Sequence, residues 1–318
     1  MYKNTNVFRR TLVLFILFIS LPIQSEQIYF NKSKDGTDLN FHYQWTDSED
    51  EISILDFTIP AKSLNTKNHK RFVADLAQQY VYIELHKEAR NIDPREARIQ
   101  IHKIGQDVQV QVKSRSSKLL TKWQQSMAIS QEKAFDQYLE DNYYSRFHSY
   151  LGQEAVKPDH IRYINENKLA LMPIAQAIYK MVPENSEPRV YINLLLSWVQ
   201  SIPYDELQDR MTSNGAGYLP PLSVIANNIG DCDSKSVLMA SLIRALLPNV
   251  EMVMVYLPNH ALLGVKLPLS PSEKTYEIDG VGYTLMEPTG PAKIPLSNIS
   301  NTSRSNILSR MYSYEKVI

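Results

Sequence analysis

The chain has 318 residues, of which 43% are apolar, and its 34 basic side chains match its 34 acidic ones. That length suits about two domains of ~100–200 residues each, and the apolar share supports packed cores rather than disorder or repeats. Charge is balanced, no basic stripe suggests nucleic acid and no acidic tail suggests a solvating arm, and the single cysteine excludes an intramolecular disulfide.

The N-terminus has the pattern of an export signal. Lys3, Arg9 and Arg10 precede a compact apolar run from Thr11 to Leu21, and Pro22 to Ser25 turns polar and ends on a small residue. The run is about half of the ~20 residues a spanning helix needs. A cleaved signal peptide over 1–25 is therefore expected, with a mature chain from near Glu26 in the periplasm or secreted. Left uncleaved, that segment would be the expected membrane tether. In an oxidising compartment an unpaired thiol is a liability unless it is buried or employed, so Cys232 calls for a purpose.

Residues 26–115 read as a small α+β domain. Strands are expected at Gln27–Phe30, Leu39–Trp45 and Ile52–Ile59. A helix is expected over Arg71–Ala89, where Phe72, Leu76, Tyr80 and Ile83 recur at three and four. Arg98 to Val112 alternates about a Gly105–Asp107 turn and reads as a hairpin. His42, His86 and His102 lack metal-ligand spacing. Residues 116–159 form a helical connector ending in a loop from Gly152 to Asp159. From 160 to 318 a second domain begins with helices at about 160–181 and 189–201, the latter holding Trp198 and Gln200.

The second domain centres on the cysteine. Gly230-Asp231-Cys232-Asp233 leads into Val237, Leu238, Leu242, Ala245 and Leu246, the spacing of a helix with one buried face, and Pro248 ends it. Asp231 is the expected N-cap. Cys232 would then sit in the first helical turn, where unpaired N–H groups and the helix dipole favour a thiolate. Downstream, strands are expected at Glu251–Tyr256, His260–Leu267, Thr275–Ile278 and Gly282–Glu287, with an Asp279-Gly280 hairpin turn. Antiparallel pairing of these strands would bring Glu287 to His260. A thiol needs a base, imidazole suits that at neutral pH, and a carboxylate fixes the ring. Cys232, His260 and Glu287 supply the three parts.

The run Gly230-Asp231-Cys232-Asp233-Ser234-Lys235-Ser236 before a leucine-rich helix resembles the core motif of transglutaminase-like domains. So do Trp198 to Tyr204, Pro220-Pro221-Leu222, the Leu257-Pro258-Asn259-His260-Ala261 segment and Tyr283 to Gly290. The resemblance covers about residues 160–300 and leaves 26–115 outside. It implies an α+β fold with a papain-like core, a cysteine helix packed on an antiparallel sheet, preceded by the small N-terminal domain. It also implies acyl transfer through a thioester, as in the family's exported cysteine peptidases, on a protein or peptide substrate. Many relatives carry aspartate where Glu287 stands. Ser234 replaces a second acid found in several bacterial relatives, which weakens a calcium site at Asp231 and Asp233, so no metal or other cofactor is expected. The Cys232 N–H is the natural first oxyanion donor, with Gln200 as the expected second and Trp198 packed in the core. Hydrolysis, cross-linking and deamidation stay open, as does a non-catalytic binding or assembly module of the same fold.

Overall fold

The computed structural model describes residues 27–64, 69–105, 107–209, 215–268, 270–271 and 273–318; the expected signal peptide lies outside them. Strands β1 (Gln27–Asp35), β2 (Asp38–Thr46) and β3 (Ile52–Pro60) form an antiparallel meander. Alternation sets its buried face: Phe41, Tyr43 and Trp45 on β2 meet Leu55, Phe57 and Ile59 on β3.

Helix α1 (Ala74–Arg90), the hairpin β4 (Arg98–Ile104) and β5 (Asp107–Lys113), and α2 (Ser117–Asp141) enclose a small separate core. Val81, Leu85, Ile101, Val108 and Met127 fill it. Ser116 caps α2, its hydroxyl accepting from the Leu119 N–H.

The packing divides the chain elsewhere than at the expected boundary near 115. The β1–β3 sheet belongs to the main core together with α5 (Pro188–Ser201) and α6 (Pro221–Asn227), whereas residues 74–141 form the separate unit. The Trp45 indole donates to Ser197 Oγ at 3.0 Å and the Tyr43 hydroxyl to the Ile225 carbonyl at 2.9 Å. Alternation reveals that a strand has a covered face but not which element covers it.

Residues 144–158, expected as connector and loop, instead form a hairpin of β6 (Tyr144–His148) and β7 (Glu154–Pro158). The stretch expected as helix at 160–181 is two helices, α3 (His160–Asn167) and α4 (Met172–Met181). Asp159 caps α3 and Pro173 stands in the first turn of α4.

Helix α7 (Cys232–Leu246) is enclosed by α3, α4, α5, α6 and the sheet strand β9 (His260–Val265). Its middle, from Val237 to Ile243, is fully buried. With β8 (Met252–Leu257), β10 (Tyr276–Ile278), β11 (Val281–Met286) and β12 (Ser313–Val317), strand β9 makes a five-stranded antiparallel sheet ordered β10-β11-β9-β8-β12. The Asp279-Gly280 turn has both residues at positive φ, as a tight hairpin requires. Helix α8 (Asn301–Leu308) packs beside β8. The molecule is an α+β protein with antiparallel sheets. Among the described residues no helix is long and apolar enough to cross a membrane.

Candidate active site

Helix α7 begins at Cys232 because Asp231 is extended and its carboxylate accepts the Ser234 N–H at 2.9 Å. The cap satisfies the third N–H of the helix, and helix geometry leaves those of Cys232 and Asp233 without intrahelical acceptors. Cys232 is partly buried beside a cleft of about 310 Å³. Asp233, Phe147, Tyr256, Asn259 and His260 line the same cleft.

The Pro258-Asn259 turn between β8 and β9 delivers His260 to the cleft. The backbone N–H of the next residue, Ala261, bears on the Cys232 sulfur and favours its charged form. Strand β11 runs antiparallel to β9 with Met286 opposite Leu263, so Glu287, just beyond the strand, stands behind the imidazole. Its Oε2 is 3.9 Å from His260 Nε2. Its Oε1 accepts the Ser300 N–H at 3.0 Å, which fixes the carboxylate in a buried position. With Nε2 turned to Glu287, Nδ1 is the ring nitrogen left to act as a base.

Gln200 does not serve as the expected oxyanion donor in this geometry. It is buried, and both protons of its amide are committed, to the Glu287 carbonyl at 2.9 Å and the Ile294 carbonyl at 2.8 Å. Gln200 braces the segment that carries Glu287. Lys235 is its counterpart from α7: the fully buried ammonium donates to the Ile202 carbonyl at 2.6 Å, to Gln200 O at 3.5 Å and to Thr289 O. Burial pulls Lys235 down to about 7, and the Asp231 carboxylate acts the other way. The cysteine helix, the end of α5 and the Glu287 loop are thus tied at one point. Trp198 lies in the core, fully buried against Tyr43 and Phe57.

The electrostatics differ from the helix-dipole expectation. Burial pushes the Cys232 thiol up, and the neighbouring Asp233 and Asp231 carboxylates push it further; only the Ala261 N–H pulls it back. Burial, then Asp233, raises Asp231 to about 7. Asp233 is raised by burial as well, against the pull of Lys157 and His260. These influences favour the thiol form of Cys232. The two aspartates also have separate tasks: Asp231 caps the helix, and Asp233 Oδ1 lies 3.6 Å from the sulfur.

Sequence reasoning missed the groups behind Asp233. His160, at the start of α3, is fully buried with Nε2 3.8 Å from Asp233 Oδ2. Its Nδ1 is 2.9 Å from the Tyr256 hydroxyl, which donates to Glu315 Oε2 at 2.7 Å. Asp159-His160 reads in sequence only as a helix start. Nothing local indicates that Glu315 reaches the site, because the β12–β8 pairing that brings it there spans most of the sheet domain.

Compared with known proteins, the chain matches no protein-family model, no curated protein and no solved structure.

Proposed function

We propose that the chain is a thiol-dependent acyl-transfer enzyme acting on peptide or amide bonds, in the manner of transglutaminase-like cysteine peptidases. The observation that carries this reading is a cysteine and a histidine on one cleft, with a buried, oriented carboxylate 3.9 Å from the imidazole. Cys232 Sγ attacks the substrate carbonyl carbon while its proton passes to His260 Nδ1. The tetrahedral intermediate collapses as the C–N bond breaks, and the amine departs with the proton from His260. The acyl group remains as a thioester, and attack by water, the default acceptor, makes the reaction a hydrolysis. Glu287 orients the ring and stabilises the imidazolium, and the Cys232 and Asp233 N–H groups are the oxyanion donors. The papain-like character of the core, helix α7 on the β9–β11 sheet, belongs to this proposal. Action in the periplasm or outside the cell rests on the residue 1–25 pattern alone.

A second reading is a binding or assembly module that keeps the arrangement without turnover. It is favoured by the upward push on the Cys232 thiol, the reverse of a resting thiolate–imidazolium pair.

Hydroxylamine separates the two. Incubated with a pool of peptide amides, the wild-type chain should release hydroxamates, and Cys232→Ala should release none. No hydroxamate from the wild type, or equal release from Cys232→Ala, would favour the binding module. In the same assay Glu287→Gln should lose about 10²-fold in rate, within the range seen when a base is misoriented. Its folding should be nearly unchanged, since the amide oxygen can still accept from Ser300.

A further inference from the structure

The hydrogen-bond directions behind Asp233 can be worked out from the surface inward. Glu315 Oε2 is paired with Lys157 Nζ at 2.7 Å and accepts the only proton of the Tyr256 hydroxyl. The Tyr256 oxygen must then accept from His160, so Nδ1 of His160 carries the proton. Burial, with Lys157 and His69 nearby, holds His160 neutral. Its Nε2 is therefore a bare lone pair, enclosed, without a hydrogen-bond partner among the described residues, and 3.8 Å from Asp233 Oδ2. A bare lone pair offers the Asp233 carboxylate no proton at Oδ2, so the donor the structure gives that carboxylate is on its other side. The other oxygen, Oδ1, lies on the sulfur side at 3.6 Å, where it accepts the Cys232 S–H.

We infer that Asp233, backed by His160, Tyr256 and Glu315, is a positioning residue that holds Cys232 in its thiol form. The inference rests on the proposed reading only for the importance of the sulfur, and it concerns the thiol itself rather than turnover. Other charges face Asp233 as well. Lys157 on β7 and His260 on β9 favour its charge, and Asp231 on its own helix opposes it. The Asp233 charge also acts on the hydroxyls of Tyr204, Tyr218 and Tyr256. The first effect of removing the Asp233 charge is on the sulfur, because both its field and its hydrogen bond raise the thiol. The sign follows: without that carboxylate the thiol titrates at lower pH, and more thiolate is present at any pH below its midpoint.

The test is the rate of Cys232 alkylation by iodoacetamide in the full folded chain, followed from pH 5 to 10. Asp233→Asn should move the midpoint down by at least about one unit and speed alkylation at pH 7 about tenfold. Asp233→Glu keeps the charge and should stay slow, which a merely structural role would not distinguish. Tyr256→Phe frees His160 to carry its proton on Nε2 and donate it to the Asp233 carboxylate, which weakens the pull of that carboxylate on the S–H, and should shift the midpoint the same way by less. An Asp233→Asn profile equal to wild type, or displaced upward, overturns the inference. His260→Ala, run alongside, reports on the triad separately: a normal Asp233 effect with a His260-independent thiol would sink the acyl-transfer reading and leave this one standing.

Discussion

His260→Ala should lower acyl transfer by about 10³-fold, as the loss of a general base does, with little change in the unfolding midpoint. The expectation follows from the resting state of the sulfur. A neutral thiol held up by burial and two carboxylates attacks only if its proton leaves during the step, and His260 is the group on the cleft with a carboxylate braced behind it. His260 is the first residue of β9 and is partly exposed, so truncation removes no core packing. Hydroxamate release and a thermal melt on the same sample check both halves. A variant keeping more than a tenth of wild-type activity would show that another group takes the proton.

Gly290→Ala should be among the most damaging single-methyl additions in the chain. Gly290 has φ +62°, and a Cβ there would overlap the Gln200 carbonyl oxygen and stand 3.0 Å from Gln200 Cα. The obstacle is backbone rather than a side chain that can turn away, and that backbone is held by the buried Lys235. The left-handed conformation costs about 1–2 kcal/mol for an alanine, and overpacking adds about 1–3 kcal/mol. A loss of about 3 kcal/mol is expected, read as the denaturant midpoint. Because the displaced loop begins at Glu287, the remaining folded fraction should also lose activity. Wild-type stability in Gly290→Ala would mean that the loop does not pack against α5 as described.

Much of the arrangement is written locally. The alternation in β2 and β3, the Asp279-Gly280 turn, and the Asp231 cap before a leucine-rich run each specify an element by its own residues. The approach of Glu287 to His260 was legible for the same reason, since two hairpin-like connections leave few ways to pair the strands. What could not be read depends on distant partners. Gln200, a polar residue near a helix end, suggested a donor awaiting substrate, but only the fold reveals the two carbonyls that occupy it. A cysteine at a helix start suggested a depressed thiol. Burial and the neighbouring carboxylates instead push the thiol up, and desolvation is a property of the whole packing. His160, Tyr256 and Glu315 come from three separated elements, so no window of sequence contains their association.

The central claim is that the Cys232 sulfur forms a thioester with help from the His260–Glu287 pair. Acid-quenching the full chain during reaction with an activated peptide ester, then weighing the intact protein and mapping the adduct, tests it directly. The account predicts one acyl group, on Cys232, released by hydroxylamine and formed far more slowly in His260→Ala. No adduct, an adduct on another residue, or one that forms equally fast without the imidazole would contradict it.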